Sequence, residues 1–191
     1  MSLDDYELVH AETRAEWRRW LAENHASSPG AWLVSWKNAT GKPSVGYGAS
    51  VEEGLCFGWI DSLNRRVDDE RTQQLFTPRR PGSRWSRSNK ERVERLLADG
   101  LIDPAGLAAI EAAKASGAWT ALDDVENLVV PGDLAAAFAA HPAAADHWET
   151  FPPSARRLIL TWILDAKRPE TRAKRLAETA SEAAAGRRAK G

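Results

Sequence analysis

Hydrophobic and polar positions alternate with a period of two in three stretches, which span residues 31–37, 59–67 and 72–78. The first is the clearest, because Trp32, Val34 and Trp36 fall on one side of the chain and predict a strand with an aromatic face. The other two are separated by a short acidic turn, which is typical of an antiparallel hairpin. We therefore expect a small antiparallel sheet.

Helix starts are marked by the spacing Ser/Thr-x-x-Glu, in which the hydroxyl oxygen accepts one backbone N–H bond and the glutamate accepts another. Three such pairs occur, Thr13 with Glu16, Ser50 with Glu53, and Ser88 with Glu91. In the helix that the first pair opens, Trp17 and Trp20 fall on one face. We expect these two tryptophans to share a core with Trp32 and Trp36.

Beyond residue 88, strand patterns are replaced by residues that typically begin and end helices. Asp103 followed by Pro104 is typical of a helix start and Gly117 of a helix end, and later prolines divide the remainder into short helices. The predicted fold class is α+β, a small antiparallel sheet with two helices followed by an all-helical C-terminal half. The predicted parts are an α+β N-terminal part, a helical C-terminal part and a frayed tail, at 1–87, 88–186 and 187–191.

The composition is that of a folded globular protein, with 43% hydrophobic and 28% charged residues in a chain of 191. The single cysteine, Cys56, cannot form an intramolecular disulfide, and the first residues lack the features of a signal peptide, so we expect a cytoplasmic location. No apolar stretch reaches the roughly 18 residues that a membrane span needs. A net charge of -1 argues against nucleic acid bound through bulk charge.

The strongest chemical signal is a cationic cluster with no acid among its members. Five cations lie within twelve residues, Arg79, Arg80, Arg84, Arg87 and Lys90, and the predicted helix start at Ser88 lies among them. Guanidinium groups beside a helix N-terminus suit phosphate, sulfate or carboxylate, and Trp85 could stack on a ring. The alternative is a solvated loop that pairs with neighbouring acids. The candidate ligand-binding residues are Arg79, Arg80, Arg84, Trp85, Ser86, Arg87, Ser88, Asn89, Lys37 and Asp61.

Asp61 falls on the same side of its strand as Trp59, where an unpaired carboxylate would be costly. Its candidate partners are Lys37, Arg65 or an arginine of the 79–87 loop. Such an acid could form a structural salt bridge, orient a binding arginine or accept a proton.

Other kinds of chemistry receive little support from the sequence. Cys56 lies between Leu55 and Phe57 with no histidine near it, so we expect a buried, inert thiol. The four histidines have no metal-binding spacing, and no phosphate-loop, dinucleotide or serine-hydrolase motif occurs. We therefore predict no metal, no cofactor and no assigned catalytic residue, with Asp61 as the alternative.

Several motifs resemble those of a known family. In the first half they are Cys56-Phe57-Gly58-Trp59-Ile60-Asp61, Phe76-Thr77-Pro78-Arg79-Arg80, and Ser83-x-Trp85-Ser86 with Asn89. In the second half the motif is Ala166-Lys167-x-x-Glu170-Thr171-Arg172-x-x-Arg175. On these residues the chain resembles the YdeI/OmpD-associated (bacteriocin-protection, OmdA) family.

The resemblance implies a role in resistance to bacteriocins and cationic peptides, and it brings no accepted reaction. We expect a cytoplasmic stress-resistance protein that binds a small anion, a phosphorylated ligand or a protein partner through the arginine-rich loop. One alternative is a small enzyme acting on a phosphorylated or carboxylated metabolite, with Asp61 as general base. Another is a nucleic-acid-binding module that uses the loop and a basic stripe of Arg168, Arg172 and Arg175.

Overall fold

The computed structural model describes residues 2–190 and divides into two compact units, with the boundary between Thr120 and Ala121. The strands all lie in the first unit, but the boundary is not near residue 87, where the composition changes. The helices that follow residue 87 contribute Val93 and Ile110 to the core beneath the sheet, so they belong to the first unit. Met1 and Gly191, which end the predicted parts, lie outside the described residues.

In its described residues, the first unit contains four strands, four α-helices and two short 3-10 helices. The strands are β1 (Glu7–His10), β2 (Ala31–Trp36), β3 (Trp59–Arg66) and β4 (Arg71–Pro78). The helices are α1 (Arg14–Asn24), α2 (Tyr47–Cys56), α3 (Arg87–Ala98) and α4 (Pro104–Ala115). The α+β class is confirmed.

The strand order is β1-β2-β4-β3, and β4 pairs antiparallel with both β2 and β3. The antiparallel hairpin is therefore present. At the edge, however, β1 lies parallel to β2, so the expectation of a purely antiparallel sheet is wrong there. A strand of four residues is too short to show a clear alternation, and its link to β2 through α1 is the crossover that parallel neighbours require.

One of the three predicted helix starts is confirmed. The Thr13 hydroxyl accepts from the Glu16 amide, and the Glu16 carboxylate accepts from the Thr13 amide. The start at Ser50 is wrong, because α2 begins at Tyr47 and buries Ser50 in its interior, where the hydroxyl donates to the Tyr47 carbonyl. The start at Ser88 is displaced by two residues, since Ser86 caps α3.

The two faces of the sheet bury different tryptophans. Leu33 faces the helices and packs in one core with Trp17, which stacks on Trp20 at 5.3 Å between ring centroids. Because neighbouring strand residues point to opposite faces, Trp32 lies on the other side, where its Nε1 donates to the Leu3 carbonyl. Trp36 shares that second face and is half-buried, so the expected common core of four tryptophans is wrong.

Helix α4 approaches the end of α2 closely. The Asp103 amide donates to the Cys56 carbonyl at 3.0 Å, and Asp103 then caps α4. A Cβ atom on Gly106 would lie 2.2 Å from the Cys56 carbonyl oxygen, so glycine is required there. Cys56 is buried as predicted, and burial raises the pKa of its thiol.

We expect Gly106→Ala to destabilise the protein by about 2–3 kcal/mol, because the methyl group forces α4 away from α2. Gly48→Ala is the matched control, since Gly48 is also helical and a Cβ there meets no atom within 4 Å. The control should leave stability unchanged or raise it by about 0.5–1 kcal/mol. Denaturant midpoints measure both, and equal midpoints would contradict the close approach.

A buried ion pair joins α1 to α2. Glu53 is 2% exposed and accepts from Arg14 Nε at 2.5 Å and from Arg18 Nη1 at 2.6 Å. Arg14 also pairs with Glu52 at 2.9 Å. The capping-box interpretation of Glu53 missed these contacts, because the two arginines lie more than thirty residues away in the sequence.

Glu53→Gln should destabilise the fold by about 2 kcal/mol, because the buried carboxylate loses its charge-assisted hydrogen bonds to two partly exposed guanidinium groups. The control is Glu70→Gln, which breaks the exposed Lys42–Glu70 pair and should cost less than about 1 kcal/mol. Urea unfolding of both variants tests this, and a cost as small as that of the control would show that the Glu53 pair is not a stabilising contact.

The second unit is all-helical. Its helices are α5 (Asp123–Glu126), α6 (Gly132–Ala139), α7 (Ala144–Thr150), α8 (Pro153–Leu164) and α9 (Pro169–Ala184). They share a core that includes Leu134, Trp148 and Ile159.

Within residues 2–190, no helix is both long and apolar enough to cross a membrane. In the predicted tail, Arg187 pairs with Glu182 at 2.7 Å.

Candidate functional site

The candidate site begins where β4 ends, at Arg79. Its backbone amide donates to the Gly58 carbonyl at 2.9 Å and so continues the pairing of the hairpin. Its guanidinium group then lies on the ring of Trp85, with Cζ 3.6 Å from the ring centroid. Trp85 is 1% exposed and packs against Trp119, so the arginine is held flat against the core.

The hydrogen bonding of Arg79 is incomplete. Nη1 donates to the Arg84 carbonyl at 3.4 Å, whereas Nε and Nη2 are buried without a partner. These two nitrogens form one edge of the planar group, and their N–H bonds point the same way, as in a bidentate contact with an oxyanion. Burial lowers the pKa of Arg79 to about 10, and the negative charge of Asp61 opposes that shift. The group is therefore a buried cation at neutral pH.

A cavity of about 160 Å³ lies beside Arg79 and is called here the Arg79 cavity. The residues that line it are Arg79, Arg80, Pro81, Gly82, Ser83 and Trp85, with Ala109, Ala112, Ala113 and Ser116 of α4. The sequence analysis missed the α4 residues, because they lie about thirty positions further along the chain. The run of alanines in α4 was the available signal, since small side chains on one helix face leave space against a neighbour.

The loop of residues 80–83 lines this site. The unpartnered nitrogens of Arg79 are out of reach of solvent, so a ligand reaches them only if the residues that cover them move. On its other side the same loop lines an open groove of about 620 Å³, to which Asp61 also contributes. Free space therefore lies on both sides of the 80–83 loop, and Gly82 at its tip has a φ of +78°.

Asp61 has partners that differ from those expected. Its carboxylate accepts from the Tyr47 hydroxyl at 3.1 Å and from Gln74 Nε2 at 3.4 Å. Desolvation, and after it the negative charge of Asp61, raises the pKa of Tyr47. Of the cations predicted as partners, Arg79 interacts with Asp61 through its charge, whereas Arg65 pairs with Asp4.

The remaining predicted site residues are scattered. Lys37 donates to the Asp68 and Asp69 carbonyls at the far end of β4, and eight residues of strand span about 25 Å. Ser86 caps α3, while Arg87 and Ser88 lie in its exposed first turn. Asn89 accepts from Arg92 at 3.1 Å. The structure thus brings Arg79, Arg80 and Trp85 to the cavity, and the Arg84 carbonyl accepts from Arg79.

Two sequence-based interpretations need correction. Trp85 is buried, and Arg79 lies on its ring, so it is not a free surface for stacking a base. In the basic stripe of the second unit, Arg172 forms two bonds with Asp133, at 2.6 and 3.0 Å. Arg175 lies over the ring of Trp162 and donates to its carbonyl. Two of the three stripe cations are therefore engaged within the unit.

The geometry defines an α+β protein with an incompletely paired buried cation beside a small cavity. Comparison with family models shows that residues 9–109, more than half of the chain, match the family described as domain of unknown function DUF8412, and the chain belongs to that family. Residues 127–186 match the family described as Bacteriocin-protection, YdeI or OmpD-Associated.

The resemblance to the bacteriocin-protection family is therefore confirmed, but only in the C-terminal part of the chain. The motifs at 56–61 and 76–89, which also suggested it, lie within the other family's match. No curated protein and no solved structure matched the chain. In residues 2–190, no three His, Cys, Asp or Glu side chains converge to hold a metal ion.

We expect Arg79→Met to stabilise the unliganded protein by about 1–3 kcal/mol, because it removes two unpartnered buried donors and a buried charge. Since the folded-state pKa of Arg79 is below its ordinary value, the charged group opposes folding at neutral pH, and that cost is relieved only as pH rises above about 10.

The control for this prediction is Arg80→Met, which removes the neighbouring but exposed cation and should change stability by less than about 0.5 kcal/mol. Guanidinium unfolding at pH 7 compares the two variants with the wild type. A loss of stability in Arg79→Met would show that the stack on Trp85 outweighs the burial cost.

Proposed function

We propose that the first unit binds a small anion at Arg79, and that the chain acts in this way as a cytoplasmic stress-resistance protein. The observation that carries the proposal is the guanidinium edge with two buried, unpartnered nitrogens beside a cavity. An oxyanion at that edge would supply both missing acceptors and a countercharge.

The rarity of such groups supports this assignment. Buried polar groups in folded proteins are nearly always hydrogen-bonded, so an orphaned pair needs an explanation. Within residues 2–190, four buried side-chain nitrogens lack a partner, and two of them are the Arg79 pair. The other two nitrogens lie on different residues, Trp148 and Arg156, so neither residue has a pair of unpartnered N–H groups for one oxyanion.

Asp61 supports the site without occupying it. Its charge helps to keep Arg79 protonated, while its carboxylate is hydrogen-bonded to Tyr47 and Gln74. The Nε–Nη2 edge of Arg79 therefore remains available for an anion from outside. The single cysteine and the match of residues 127–186 to the bacteriocin-protection family support the cytoplasmic resistance role.

The test is thermal unfolding in rising concentrations of phosphate, sulfate and acetate at constant ionic strength. An anion at 100 times its dissociation constant should stabilise the fold by about 2.7 kcal/mol. For a protein of this size that raises the melting temperature by about 5–11 °C. Arg79→Met should abolish the rise, and Arg66→Met, which removes an exposed cation outside the cavity, should retain it.

Saturation separates binding from a general salt effect, because sulfate and phosphate also stabilise proteins through exclusion from their surfaces. If no anion gives a saturating rise, or if Arg79→Met responds like the wild type, the proposal fails. A nucleic-acid-binding module would instead bind DNA or RNA with an affinity that falls steeply with salt, by roughly 0.9 in the log–log slope for each phosphate neutralised on duplex DNA.

A further inference from the structure

We infer that the anion bound at Arg79 is the carboxylate of a short-chain monocarboxylic acid, whose aliphatic part lies against the alanines of α4. The inference rests on the proposed function and narrows it to one ligand class. Three features of the site carry it, namely the number of free donors, the chemistry of the walls and the size of the cavity.

The donors match a carboxylate. Nε and Nη2 of Arg79 provide two parallel N–H bonds, and a carboxylate has two oxygen atoms at the matching spacing. Phosphate or sulfate would accept these two hydrogen bonds with two of its oxygen atoms, and its remaining oxygen atoms would need other donors. Arg79 is the buried cation of this site, since Arg80 is exposed and its charge is screened by water. One buried positive charge balances one carboxylate.

The walls are largely apolar. Ala109, Ala112 and Ala113 contribute methyl groups from α4, and Trp85 contributes its ring. The additional oxygens of a phosphate group would lose water against these methyl groups and this ring, and among the other lining side chains only Arg80, Ser83 and Ser116 offer further donors to replace it. An alkyl chain gains from the same contact, because apolar surface leaves water on both sides.

The size limits the chain length. An apolar cavity of about 150 Å³ is large enough for benzene, a six-carbon ring. The Arg79 cavity, at about 160 Å³, therefore accommodates a body of up to about six non-hydrogen atoms, which includes butyrate and excludes octanoate. For the carboxylate to reach the two nitrogens, the residues that cover them must move, and the groove on the other side of the 80–83 loop leaves space for that loop to do so.

The experiment is calorimetric titration of the protein with acetate, propionate, butyrate and octanoate, and with inorganic phosphate. Affinity should rise about threefold to fourfold for each methylene from acetate to butyrate, which is the value of one buried CH₂. It should stop rising by octanoate, whose chain exceeds the cavity. Phosphate should bind more weakly than butyrate, and Arg79→Lys, which keeps the charge but removes the two parallel N–H bonds, should weaken butyrate binding at least tenfold.

Cavity filling tests where the chain lies. Ala109→Leu places a larger side chain in the cavity and should weaken butyrate binding at least tenfold while acetate binding changes little. Ala108→Leu is the matched control, because Ala108 is exposed on the same helix and does not line the cavity. If Ala109→Leu is unstable, Ala112→Leu at the exposed margin of the cavity serves the same purpose.

The outcomes distinguish this inference from the proposed function. If affinity does not depend on chain length, or if phosphate binds more tightly than butyrate in an Arg79-dependent manner, the ligand is not a short-chain carboxylate, although anion binding at Arg79 stands. If Ala109→Leu binds butyrate like the wild type, the chain does not occupy this cavity. If none of the anions binds, both the inference and the proposed function are wrong.

Discussion

The flat contact between the Arg79 guanidinium and the buried ring of Trp85 determines the geometry of the candidate site. Arg79 directly follows β4, and Trp85 directly precedes the residue that caps α3, so their stacking joins the sheet to the helices. The chain between them must therefore fold back, and the Ser83 amide donates to the Arg80 carbonyl within that turn. The 80–83 loop, the cavity beside it and the start of α3 all lie next to this contact.

Two buried charges of the first unit show what separates a structural group from a candidate binding group. Glu53 is in contact with two guanidinium groups, so its charge is neutralised and its oxygens are paired. Arg79 has a distant countercharge in Asp61 and an edge without acceptors. Both are charged groups removed from water, and the difference lies in their partners. A group that lacks its partner within the chain is the one that an external ligand can complete.

The sequence predicted what local interactions decide. Thr13 and Glu16 lie three residues apart and form their cap within one turn, and Asp103 caps α4 in the same local manner. The prediction from sequence failed where residues distant in the chain are in contact. Glu53 was expected to cap a helix, but it accepts hydrogen bonds from Arg14 and Arg18 of α1 instead. For the candidate site, the sequence placed Arg79 in a cluster of five cations and gave no reason to prefer it to the other four. Tertiary packing distinguishes Arg79, because it lies on Trp85 beside α4 while Arg80 is exposed.

The small-residue face of α4 links stability to the cavity. Gly106, Ala109 and Ala113 have helical spacings of three and four, so they share one face. Gly106 lets the helix approach Cys56, and at that distance the two alanines still leave space beside Arg79. An unfilled cavity and an unpaired buried cation each reduce the stability of a fold. A sequence shaped by stability alone would remove both, so their occurrence at the same place is the pattern expected of a binding site.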